Sequence, residues 1–76
     1  LTIYPVPAND ILYFETDDII INHVEIYNIA GISQISRDIH TGNFSVDIAD
    51  FLPGLYYIKY TTNTGESDYL KFPVVK

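Results

Sequence analysis

The sequence predicts an all-β fold, an antiparallel β-sandwich of about seven short strands. Three observations predict it. Apolar residues alternate with others instead of recurring at helical spacing, as in Leu12/Phe14, Val24/Ile26, Phe44/Val46/Ile48 and Tyr56/Ile58/Tyr60. Such a period of two marks half-buried strands. Ile, Val, Thr, Tyr and Phe dominate these runs, and they fit a pleated surface. Turn residues then separate the runs at short, regular intervals, the spacing of a sandwich. No window offers an amphipathic helix.

The elements follow in order. Ile3-Tyr4 leads into Pro5-Val6-Pro7, a stiff segment that cannot pair as a central strand. Ala8-Asn9-Asp10 opens a strand that runs to about Glu15 and is broken at Thr16-Asp17-Asp18. A second strand covers about 23–27. Asn28-Ile29-Ala30-Gly31 forms a tight turn in which Gly31 takes the positive φ. The chain returns over about 32–39, and His40-Thr41-Gly42-Asn43 makes the next reversal. Another strand spans 44–48. Pro53-Gly54 fits the two central positions of a type II turn. The strongest strand runs over 55–61, and Asn63-Thr64-Gly65-Glu66 turns it into a last strand over 68–75. Pro73 lacks an amide hydrogen, so it belongs at an edge or near the end of pairing. There is no internal repeat, low-complexity tract or linker, so residues 1–76 read as a single domain.

Composition bounds the function. A chain of 76 residues and 8.7 kDa buries only about 60% of its unfolded surface, which leaves a thin stability margin. It has no cysteine, so no disulfide reinforces it, and no Cys/His cluster marks a zinc site. Packing must hold the fold, and the 47% hydrophobic content with 7 Tyr and 4 Phe supplies it. Ten acids against four bases give a net charge of −6. That balance opposes nucleic acid and anionic lipid as partners. No apolar run approaches the ~20 residues a spanning helix needs, so no stable membrane insertion is expected. The chain opens at Leu1 without a charged n-region and reads as a module of something larger.

Few residues carry a chemical signature. Leu52-Pro53-Gly54-Leu55-Tyr56 resembles the tyrosine corner of immunoglobulin-like sandwiches, where the hydroxyl bonds back to upstream backbone. That makes the expected sandwich immunoglobulin-like and gives Tyr56 a structural role. Tyr57 points opposite to Tyr56, and Tyr27 opposite to Ile26. Either ring could offer a platform for a sugar, although single surface aromatics are ordinary. His23 and His40 read as solvated loop histidines with no nucleophile or metal partner. Ser33, Ser36, Ser45 and Ser67 lack a G-x-S-x-G context. Asp17-Asp18 is the one adjacent acid pair, outside any D-x-D-x-D-G loop. A sandwich this small leaves little room for a substrate cleft, so neither catalysis, a metal nor a cofactor is expected. Asp47, Lys59 and Lys71 fall on outward positions, where charge protects strand edges.

The order of several weak motifs is more specific than any one of them. Tyr4-Pro5-Val6-Pro7-Ala8-Asn9-Asp10 opens the chain. Val24-Glu25-Ile26-Tyr27-Asn28-Ile29-Ala30-Gly31 follows, then Ile48-Ala49-Asp50-Phe51-Leu52-Pro53-Gly54-Leu55-Tyr56-Tyr57-Ile58-Lys59, and the chain closes on Lys71-Phe72-Pro73-Val74-Val75-Lys76. Over essentially its whole length this resembles the type A C-terminal sorting domain of the type IX (Por) secretion system. Val6 replaces the family's usual Asn between the prolines, Asn28 stands where Asp is typical, and Pro73 interrupts the last strand.

The resemblance implies a non-catalytic sorting signal at the C-terminus of a larger exported protein. The upstream cargo would cross the periplasm, be recognised by outer-membrane type IX machinery, and end on the cell surface or secreted. A sortase-like peptidase would cut upstream of the domain, before Leu1. Pro5, Pro7 and Asn9 match the opening motif, Gly31 and Gly54 the turn glycines, and Tyr56 the tyrosine after the turn. Lys71 and Lys76 match the basic end and are candidates for contact with the machinery, because exposed strand-end charges contribute little to folding. The competing reading is a cell-surface adhesion or carbohydrate-binding sandwich module.

Overall fold

A computed structural model describes residues 1–76 as seven strands in two antiparallel sheets, with no helix. β1 (Thr2–Tyr4), β2 (Ile11–Glu15) and β5 (Phe44–Asp47) form a three-stranded sheet in the order β1-β2-β5. β3 (Ile21–Tyr27), β4 (Ser33–Thr41), β6 (Gly54–Thr62) and β7 (Ser67–Val74) form a four-stranded sheet in the order β4-β3-β6-β7. This is the expected immunoglobulin-like sandwich. In constant-type immunoglobulin domains the fourth strand joins the first, second and fifth; here β4 pairs with β3 instead.

The alternation read from the sequence is the burial pattern. Leu12, Phe14 and Val46 face inward from the three-stranded sheet. Val24, Ile26, Tyr56, Ile58, Phe72 and Val74 face them from the other. With Ala8 and Ile48 they make one cluster. Phe51, Tyr56 and Phe72 pack ring against ring, with centroids 4.8 and 5.9 Å apart. The Tyr56 hydroxyl donates to the Leu52 carbonyl at 2.7 Å. The ring fills the core and its one polar atom is satisfied, which is the tyrosine corner.

The turn at 28–31 forms as its residues suggest. Gly31 sits at φ +81° and its amide donates to the Asn28 carbonyl at 2.9 Å. The Asn28 side-chain oxygen accepts from the amides of Ala30 and Ile32, both at 3.0 Å. Asn thus closes the turn through its own side chain.

Four expectations are corrected. The first concerns Ala8, which does not open a strand. It forms an isolated parallel bridge to Val74, and β2 begins at Ile11. Residues 40–43 are not a hairpin, because β4 pairs only with β3 and β5 only with β2. They carry the chain from one sheet to the other. His40 adopts φ +64° as β4 ends, and the Thr16 amide donates to the Asn43 side-chain oxygen at 3.1 Å. Gly54 is not at the centre of a type II turn. It is the first residue of β6, at φ +149°, paired with Val74. The reversal occurs earlier, where the Phe51 amide donates to the Ile48 carbonyl at 3.0 Å. Lastly, His23 lies inside β3 and not in a loop.

Tyr56→Phe removes one hydroxyl and leaves the Leu52 carbonyl without its donor. It should cost about 1 kcal/mol, lowering Tm by roughly 4–8 °C in a domain of this size. Phe72→Ala should cost about 3–5 kcal/mol, most of the stability a small domain has. Urea and thermal unfolding of the two variants check both values.

Candidate functional site

Residues far apart in the sequence meet at one end of the sandwich. The register places Gly54 opposite Val74 and Tyr27 opposite Tyr57. The start of β6, the end of β7 and the end of β3 with its Gly31 turn therefore lie at the same end. The 5–10 segment passes the same place. The buried Ala8 donates its amide to the Pro73 carbonyl at 2.9 Å and accepts from the Val75 amide at 2.9 Å. Pro5 and Pro7 are exposed on either side of Val6 and steer Ala8 into this seam.

Lys76 closes the arrangement. Its ammonium donates to the carbonyls of Asn9 at 2.5 Å and Ala49 at 2.9 Å, and approaches that of Ile48 at 3.4 Å. Asn9 and Lys76 are thus brought together, and Asn9 takes part through its backbone. The carbonyls of Asn9 and Ala49, just outside the strands, would otherwise face water alone. Lys76 is consequently not a free strand-end charge. Lys71 is different: it lies on the outer face of β7, opposite Tyr57, and makes no ion pair.

β7 is an edge strand, and its pairing explains Pro73. The carbonyl of Pro73 and the amide of Val75 point away from β6, toward Ala8. By alternation, residues 67, 69 and 71 point the same way. The amide that Pro73 lacks would lie on that outer side, so the β6–β7 ladder loses nothing. The Tyr69 amide is capped by the Asp68 carboxylate at 2.8 Å. Ser67 and Lys71 leave open backbone groups on this edge, while the Ala8 bridge blocks its far end.

The outer face of the four-stranded sheet holds two further groups. Tyr27, Tyr57 and Tyr69, with Ile29 and Gly31, line a shallow groove of about 330 Å³. The Tyr27 hydroxyl donates to Glu25 at 2.6 Å. That bond, with one from Ser33, holds the Glu25 carboxyl below its ordinary range, and the same bond raises the Tyr27 phenol above its own. The second group is His23. Its Nδ1 lies 2.9 Å from an Asp38 oxygen and its Nε2 3.1 Å from the Ser36 hydroxyl. The sequence reading missed this nucleophile partner. The hairpin register could have found it, since His23 faces Asp38 and Glu25 faces Ser36 across the Gly31 turn. Base, orienter and hydroxyl are present, but Ser36 and Asp38 are exposed on a flat sheet and no cavity includes either.

Comparison with known proteins decides the family. Residues 2–75 match the model of the secretion system C-terminal sorting domain. The chain belongs to this family. It is a C-terminal sorting signal for type IX secretion, and it directs export to the cell surface or beyond. Beta-agarase D of Zobellia galactanivorans is 30% identical over 67 residues, covering 88% of this chain. The match covers only 13% of that relative's length. No solved structure matches. The matched region takes in the residues that meet around Ala8, Gly54 and Tyr56.

The Tyr27–Glu25 bond sets a pH dependence. A depressed Glu25 contributes stability that is present above its unfolded value and lost as pH falls through its folded one. A raised Tyr27 contributes below its unfolded value, and that is lost as pH rises. In Glu25→Gln the Tyr27 phenol should titrate closer to an ordinary tyrosine, and an NMR or ultraviolet titration of the two proteins checks this.

Proposed function

We propose that this sorting domain is a non-catalytic address label, read through its β7 edge and through Lys71. The upstream cargo passes through the periplasm joined to the folded domain. A sortase-like peptidase then cuts the chain before Leu1. The observation that carries the reading is the edge itself. β7 offers open backbone groups at Ser67 and Lys71, and a strand added there would gain backbone hydrogen bonds and a cation beside it. Lys71 makes no ion pair, so its charge costs the fold little to keep and is available to a partner.

Pro5, Pro7, Asn9, Gly31, Gly54 and Tyr56 act through the fold in this account. They set the seam, the turns and the corner that present β7. Lys76 belongs with them, because its ammonium is committed to backbone carbonyls. The order of these residues along the chain, which resembles the type A sorting domain, fits the same assignment of roles. Beta-agarase D, a relative that shares this region, fits a design in which the label is small and the cargo large.

Two variants separate the roles. In a periplasmic reporter fused to residues 1–76 and expressed with the secretion system, Lys71→Glu should reduce export severalfold with Tm unchanged. Lys76→Ala should lower Tm by roughly 4–8 °C, the effect of about 1 kcal/mol in so small a domain, with export falling in step. Export of Lys71→Glu at the parent level would contradict the proposed contact. The absence of catalysis has its own check. Ester hydrolysis of p-nitrophenyl acetate should match that of free imidazole and be unaffected by Ser36→Ala; a faster rate abolished by that substitution would contradict it.

A further inference from the structure

We propose that the outer face of the four-stranded sheet, at Tyr27, Tyr57 and Tyr69, binds a polysaccharide chain that is neutral or only sparsely charged. The three tyrosines stand on three consecutive strands, β3, β6 and β7. Tyr27 is directly opposite Tyr57, and Tyr69 is diagonal to Tyr57 because it pairs with Lys59. Two strand spacings make a row roughly 10 Å long, enough for consecutive pyranose rings. The rings are accessible: Tyr69 is 61% and Tyr57 37% exposed. Ile29, 74% exposed, extends the apolar surface at the turn. Gly31 has nothing within 4 Å of where a side chain would begin, so that end of the groove stays open.

The polar groups suit a sugar. A pyranose presents C–H bonds on its faces and hydroxyls around its rim. The phenols of Tyr57 and Tyr69 make no hydrogen bond within the protein and are free to meet such hydroxyls. The Glu25 carboxylate, anchored by Tyr27, is a fixed acceptor at the margin. Lys59 beside Tyr69 is a donor.

Charge and backbone chemistry exclude the main competitors. A net charge of −6 repels dense polyanions. A peptide laid across the rings would find the backbone groups of β3 and β6 already used in the ladder, leaving its own unpaired. A peptide therefore belongs at the β7 edge, and the ring row is a separate surface. The site is independent of the export reading.

Affinity electrophoresis of the 76-residue chain tests the proposal, in gels containing a soluble neutral glucan, xylan or galactan, or heparin as the dense polyanion. At least one neutral polysaccharide should retard the chain. Tyr57→Ala and Tyr69→Ala should each weaken the association about tenfold, with circular dichroism unchanged. Tyr13→Ala, on the opposite sheet, should not. Absence of retardation by every neutral polysaccharide, retardation by heparin alone, or retardation that survives the Tyr57→Ala/Tyr69→Ala double variant would overturn the proposal.

Discussion

Two sheets that share no strand can be joined only by what lies between them and by what fastens their rims. That is the situation of this domain. Without a cysteine, and with no Lys or Arg in a salt bridge, it relies on a single apolar layer contributed by both sheets. The inward residues of β2 and β5 belong to one buried cluster with those of β3, β6 and β7. The rim is fastened at one end, by Ala8 against β7 and by the Lys76 ammonium on carbonyls beside β2 and β5. Pro5, Pro7, Asn9, Gly31, Gly54 and Lys76 lie at or beside that end.

The arrangement leaves the outward surfaces free of structural duty. The inner faces are fully committed, and the tyrosine corner commits even the Tyr56 hydroxyl. What the domain offers to other molecules is therefore its strand edges, β7 among them, and an outer sheet face with three exposed or half-buried rings. An address label needs little else. The Tyr4 hydroxyl on Glu15, at 2.8 Å, and the stacking of Tyr4 on Tyr13 repeat the phenol–carboxylate pairing of Tyr27 and Glu25 on the opposite outer face. Surface tyrosines are thus restrained on both sides of the sandwich.

Much of this was legible in the residues, and the limits have physical causes. Alternation is a local property, so the strands, their inward faces, the Gly31 turn and the Tyr56 corner could be read directly. Sheet membership is not local. The segment 40–43 looks like any short reversal, yet it is the crossover between sheets, and only the pairing partners of β4 and β5 distinguish the two. Pro53-Gly54 suggested a type II turn because its composition fits one, whereas the reversal had already occurred at Ile48–Phe51. Lys76 read as a free charge because carbonyls left open by residues 9 and 49 carry no side-chain signature. His23, Ser36 and Asp38 are far apart in sequence and become neighbours only through hairpin register.

Native-state hydrogen exchange tests most directly whether the two sheets form one cooperative unit. The account predicts that amides of β2, such as Phe14, and of β6, such as Ile58, exchange through openings of equal free energy, matching global unfolding. If β2 amides exchanged through a distinctly cheaper opening while β6 stayed protected, the shared layer would not be what holds the domain together.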